Sequence, residues 1–337
     1  MERGGILPDK KAPRFFALRA PGADRLLGYD GPRVTSRIVY SFPEFVAAQK
    51  GAAAARLREG AAYAFSGDLN VRRTLERLKP VQLAREACLR HWLGSGRQEL
   101  LRQGETVGGG NLRRIDGLLT RAATVLAITR PAAVVTPALG PLEVRVLGTT
   151  EMPVVALGPS VAERLSDDEL LAVLGSACGH VQNEHPPYLT TLYLLAEAQN
   201  LVVRWAVAPA VLGLRRWARR ADVTADRAGA LVTRSLAPNL SAIVKRTLGQ
   251  RRLLSEVDVE KTLADLRTRS TRPPQSFDAP ASDADEVDLA TRVRALELFA
   301  ETTYFRSVMG ISPTAAAPGI TKEACDRKVA ELFWELG

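Results

Sequence analysis

Apolar positions recur at helical spacing over most of this chain. Beginning at Pro43, PEFVAAQKGAAAARLREGAAYAF is dominated by strong helix formers, with the proline near a helix start. LNVRRTLERLKPVQLAREACLRHWL continues the pattern and predicts two helices separated at Pro80. RRIDGLLTRAATVLAI predicts another amphipathic helix. The period changes at LEVRVLG (142–148) and PVVALG (153–158), which are rich in Val and bounded by Gly and Pro. Joined through TTEM, they predict a β-hairpin.

A helix then opens on a capping box. Ser166 stands three residues before Glu169, with Asp167 and Asp168 in the first turn. Pro186 and Pro187 stop it near Glu184. Two or three more helices are expected between Tyr188 and Leu248. A charged helix follows, and RTRSTRPPQSFDAPASDADEVD has the composition of an exposed loop. LATRVRALELFAETTYF predicts a helix, and the last one should dock an apolar face of Leu332, Phe333 and Leu336 on the body. At the other end, residues 1–40 are rich in Pro and Gly, with short strands expected within 14–42. The expected class is mainly α with a small β-sheet (α+β). The expected division is a mostly helical region at 1–125, a domain at 126–310 and a tail with a docked helix at 311–337.

Composition bounds the function. The chain has 337 residues, 46% hydrophobic and 25% charged, as expected of a globular protein. Its net charge is +9 and its pI about 9.8, which raises binding to nucleic acid or an anionic surface as an alternative. Yet eight of the 46 basic residues are Lys, the basic residues are spread along the chain, and no recognition motif accompanies them. Nucleic acid is therefore not the expected partner. The glycines 108–110 lack the Lys and Ser/Thr of a phosphate loop and do not fit GxGxxG, so a plain loop is expected. Cys88, Cys178 and Cys325 are dispersed and odd in number, which implies no disulfide framework. The N-terminus carries no apolar signal core, and Glu197, Arg204 and Pro209 interrupt the apolar stretch 189–214. These features predict a cytoplasmic protein without a transmembrane segment.

The candidate chemistry lies in LSDDELLAVLGSACGHVQNEH. In an HExxH zinc peptidase, two His at i and i+4 bind the metal and the Glu beside the first activates water. Here the positions read Ser176, Ala177 and His180. GPSVAERLSDDELLAVLGSACGHVQNEH resembles the catalytic-helix region of the HtpX-like zinc metallopeptidases, a gluzincin group. RRADVTADRAGALVT is similar to that family's second motif, and RVRALELFAETTYFRS to its C-terminal helix. The three segments occur in the family's order within residues 131–309. The resemblance implies a metallopeptidase-like scaffold with an N-terminal helical region. It places Ser176 at the first ligand, Ala177 at the general base, and His180 at the second ligand. Asp222 stands in place of the third-ligand Glu, and Asp226 at the second acidic position. The His-Pro that precedes the family's last helix is replaced by DADEVDLAT.

Other groups do not obviously complete the site. Cys178 lies about 200° around the helix from His180, and His185 about 140° away at the helix end. A metal, if any, would use His180, Asp222 and His185. Asp226 and Arg227 are expected to form pairs that hold the helices together, and His91 beside Trp92 to be half-buried packing. With three His in the chain, no Ser-His-acid motif is recognisable.

The expectation is thus a pseudo-peptidase: no catalytic residues, no cofactor, and a protein or peptide partner in the former substrate groove. Self-assembly through the N-terminal helices is an additional possibility. The alternative enzyme is a zinc endopeptidase with a non-standard site on His180 and Asp222.

Overall fold

Helix α1 (Ser66–Arg77) and helix α2 (Lys79–His91) are separated at Leu78, which is extended. Pro80 lies in the first turn of α2, where its missing N–H leaves no helical bond unmade. A π-helical turn, Trp92–Gly96, carries α2 into α3 (Arg97–Gln103). Trp92 is buried there, whereas His91 is exposed rather than half-buried. This computed structural model describes residues 60–197, 201–249, 257–268, 281–312 and 318–333. The expected strands within 14–42, the helix start at Pro43 and Leu336 lie outside them.

The small sheet comprises β1 (Glu105–Thr106), β2 (Ala132–Val135), β3 (Val144–Gly148) and β4 (Pro153–Leu157). Its order is β1-β2-β4-β3. The expected hairpin is present: β3 pairs antiparallel with β4, matching Val144 to Leu157 and Gly148 to Pro153. Strand β2 pairs parallel with β4. AAVV gave no alternating pattern, so β2 was not legible as a strand. Between β1 and α4 (Arg113–Val125), Gly108, Gly109 and Gly110 all have positive φ and form a turn closed by a bridge from Gly108 to Asn111.

After the short α5 (Val161–Arg164) comes α6 (Asp167–Gln182), the central helix. Its capping box is intact: Glu169 N donates to Ser166 Oγ, and Ser166 N donates to Glu169 Oε2 at 2.9 Å. The remaining helices are α7 (Pro186–Ala196), α8 (Leu201–Thr233), α9 (Ala237–Leu248), α10 (Val259–Thr268), α11 (Ala281–Ala300), α12 (Thr303–Val308) and α13 (Lys322–Leu332). Helix α11 begins at Ala281, inside the segment expected to be loop. Its apolar periodicity starts only at Leu289, so its polar first turns carried no helical signal.

Helices α6 and α8 cross at contact distance because small residues line both. A Cβ on Gly179 would lie 2.5 Å from Ala228 Cβ, and one on Gly229 would lie 2.7 Å from Ala172 O. One apolar core runs from Phe65 through Leu119 and Leu174 to Phe299 and Val329. Helix α13 docks on it through Cys325 and Val329, while Phe333 stacks on Phe65 at 5.9 Å. Among the described residues, no helix is long and apolar enough to cross a membrane. The architecture is mainly α with a small mixed sheet, as the sequence predicted.

Candidate functional site

The close crossing of α6 and α8 brings their two motifs together. Ser176, Ala177 and His180 from α6 and Asp222 from α8 line one cavity of about 330 Å³. Edge strand β3 and helix α7 form other walls, supplying Val146, Leu189 and Tyr193 among others. His180 Nε2 lies 3.4 Å from Asp222 Oδ1, so the sequence-selected His and Asp are neighbours.

His185 is also brought in. Helix α6 ends at Gln182, and Glu184 takes a left-handed conformation with φ 59°. The reversal lets His185 N donate to His180 O at 3.1 Å and sets the two Nδ1 atoms 2.9 Å apart. The ideal-helix angle placed His185 away from His180; the left-handed residue removes that separation.

His185 is buried and its Nε2 lies 3.0 Å from Asp68 Oδ2. Asp68 Oδ2 accepts from Thr224 Oγ1 and Oδ1 accepts from Trp217 Nε1, each at 2.8 Å. Burial would raise the Asp68 carboxyl, but His185, Thr224 and Arg72 outweigh it and hold it below the usual carboxylate value. Burial lowers the His185 imidazole, despite the opposing pull of Asp68. These shifts describe a neutral His185 that donates from Nε2 to an ionised Asp68. Its Nδ1 is then the acceptor, and His180 donates from its own Nδ1. The tautomers follow from this bond network. The bonded chain is His180–His185–Asp68, and Asp222 Oδ1 lies 3.4 Å from His180 Nε2 at its cavity end. Both nitrogens of His180 face partners other than Ser176, so the arrangement supplies no Ser176–His180 nucleophile pair.

Asp226, one turn after Asp222, receives two bonds from Arg292: Nη2 to Oδ1 at 2.7 Å and Nε to Oδ2 at 2.8 Å. Burial nevertheless raises the Asp226 carboxyl, only partly offset by Arg292. For Asp222, the upward push of burial is outweighed by His180, Arg292 and Arg246, and its carboxyl is lowered. Arg227 faces the other way and bonds the Asp326 carboxylate at 2.8 Å in the core. The expected pairing roles of Asp226 and Arg227 are therefore observed.

A catalytic zinc site normally has three protein ligands and an open position. His180 Nε2 and Asp222 Oδ1 are close enough to share an ion. Ser176 offers only a hydroxyl, and His185 is occupied by Asp68 and His180. Among the described residues, no group of three His, Cys, Asp or Glu side chains is placed to hold a metal. Arg246 and Arg292 add positive charge beside Asp222. These residues do not fit a catalytic zinc ion. Ala177 puts a methyl where the resemblance requires a proton acceptor, and burial pushes the Cys178 thiol up to about 12, away from thiolate chemistry.

Sequence reasoning missed Asp68, Trp217 and Thr224, which lie far from the recognised motifs. Arg246 was also missed. Arg292 left a signal: it interrupts the apolar stripe defined by Leu289, Val293 and Leu296.

Comparison with known proteins gives one partial likeness. The chain is 28% identical over 165 residues to the Plastoglobule-localized metallopeptidase 48, chloroplastic, of Arabidopsis thaliana. The match covers 48% of this chain and 48% of that protein, so the chain spans about half the relative's length. No family profile matches the chain, and no solved structure matches it. The likeness supports a metallopeptidase-like relationship and a peptidase-like scaffold.

Proposed function

We propose that this chain is a pseudo-peptidase: a metallopeptidase-like scaffold that binds a protein or peptide segment in its groove without cutting it. The observation that carries this reading is the floor of the cavity. Where the resemblance calls for His, Glu, His and Glu, the groove presents Ser176, Ala177, His180 and Asp222. His180 Nδ1 is taken up by His185, its Nε2 faces Asp222 at 3.4 Å, and guanidinium groups flank Asp222. Loss of a general base alone typically costs roughly 10²–10⁴-fold in rate. The site retains shape and polarity but has Ala177 where the resemblance requires the water-activating Glu, and its ligand set is incomplete.

The experiment is an endopeptidase assay on a quenched fluorescent peptide library, with and without added zinc, alongside zinc content by elemental mass spectrometry. No turnover and substoichiometric zinc are expected. Zinc-dependent cleavage that disappears in His180→Ala would replace this reading with the non-standard endopeptidase.

A further inference from the structure

The outer edge of β3 is closed at both ends. Gly158 N donates to Glu143 O at 2.8 Å, and the β3–β4 register continues from that pair. In an antiparallel ladder, alternate residues direct their backbone bonds to the same neighbour. Arg145 and Leu147 therefore bond toward β4, while Val144, Val146 and Gly148 present their N–H and C=O outward. At one end, Gly148 N donates to Thr190 Oγ1 at 2.7 Å, and that hydroxyl also lies 3.2 Å from Gly148 O. At the other, Arg246 reaches Leu142 O at 3.3 Å and Val144 O at 3.5 Å. Val146 lies between them. It is buried and lines the cavity, and among the described residues its outward backbone groups have no bond. A buried peptide group of this kind needs water or a ligand.

The same cavity carries cations not committed to a carboxylate. Arg145 is paired with Glu143 and lies over the Tyr193 ring, while Arg292 is held by Asp226. Arg215 and Arg246, which also line the cavity, form no ion pair among the described residues. Burial and the neighbouring Arg292 push the Arg246 guanidinium down to about 10, against the opposing pull of Asp222, Asp226 and Glu143, and its charge persists at neutral pH. Asp222 and Glu197 also line the space; Asp222 is turned to His180, and Glu197 stands exposed at the C-terminal end of α7. Val173, Leu189 and Leu192 add apolar lining to the same cavity.

From these placements we infer that the groove takes the C-terminus of an extended peptide, pairing antiparallel with Val146 and delivering its terminal carboxylate to Arg246. This inference rests on the proposed peptide-binding function. A chain passing through the groove would need the N–H and C=O of Gly148 and the C=O of Val144, which Thr190 and Arg246 occupy. A chain end needs only the bonds of Val146. The orientation follows from charge. Along an antiparallel added strand, the peptide runs from the Gly148 end to the Val144 end, so its C-terminus meets Arg246. A parallel strand would place an ammonium there instead. The apolar lining suits an aliphatic last side chain.

The test uses the full chain and N-terminally fluorescein-labelled tetrapeptides ending in Leu, with their first three residues randomised. Fluorescence anisotropy compares the free acids with the C-terminal amides. The acids should bind about tenfold or more tightly, as one charge-assisted hydrogen bond provides. Arg246→Ala should remove the difference by weakening only the acids. N-methylation of the peptide backbone should weaken binding in the wild-type chain, a readout independent of any variant's folding. Equal binding of acids and amides, or no binding by either, overturns the inference. Mass spectrometry of the same mixtures separates the two claims, because cleaved peptide would overturn the pseudo-peptidase reading instead.

Discussion

His180 Nδ1 and His185 Nδ1 lie 2.9 Å apart, with His185 sealed in the core and His180 facing the cavity. The pair joins a groove-lining residue to the buried Asp68. Neutral His185 can accept from His180 only while its Nε2 proton remains directed at Asp68. The contact thus depends on a residue far away in sequence, on α1.

Removing that support should destabilise the fold. His185→Phe preserves an aromatic ring against Trp217 but leaves Asp68 without its imidazole donor. We expect a loss of about 1–3 kcal/mol, the usual cost of leaving a buried polar group short of a partner. Urea unfolding followed by circular dichroism measures it, and an unchanged midpoint would contradict the assigned bond.

The same group gives a pH dependence with a defined sign. The folded-state imidazole of His185 lies below its ordinary value of 6.5, so the unfolded chain takes up that proton more readily. Its contribution is fully present above 6.5 and is lost as pH falls from there toward the lowered folded value. The melting temperature of the wild type should therefore fall between pH 7.5 and 5.5 by more than that of His185→Phe. The difference between the two proteins isolates this imidazole from Asp226 and Asp288, whose carboxyls burial raises and whose effect has the opposite sign. Parallel pH profiles would show that His185 does not titrate differently on folding.

The helix crossing tolerates no added carbon. Gly179→Ala would set a methyl 2.5 Å from Ala228 Cβ. A loss of about 1–3 kcal/mol is expected from overpacking, together with displacement of His180 beside it. Thermal unfolding tests the first effect. Gly117→Ala, where the added Cβ meets nothing within 4 Å, is the control and should not be destabilised by a clash.

The thiols should be inert in the folded state. Cys88, Cys178 and Cys325 are all buried, and burial raises each thiol. Ellman's reagent at neutral pH should label them slowly in the native protein and promptly in urea. Fast native labelling of Cys178 would show that the central helix opens.

Zinc binding should follow the side chains restored to α6. S176H together with A177E supplies a second imidazole and a carboxylate beside His180 and Asp222. Stoichiometric zinc is expected in the double variant and not in the wild type, measured on chains purified without chelators. Equal zinc in both would mean that the present donor set suffices.

The sequence alone determined what depends on neighbours along the chain. The capping box of Ser166 and Glu169, the hairpin 142–158 and the break before Pro80 were legible because caps, strand periodicity and proline act locally. The resemblance likewise placed Ser176, Ala177, His180 and Asp222 together, since each belongs to a motif with fixed helical spacing. Tertiary structure decided the rest. The left-handed backbone at Glu184 brought His185 back to His180 against the ideal-helix angle. Asp68, Trp217 and Thr224 came from different turns of α1 and α8, and their convergence needed those helices to pack. Arg246 and Thr190 closed the edge of β3 from helices α9 and α7. Such polar contacts leave no period in a sequence. They form only where packing excludes water and each buried donor or acceptor must find a partner.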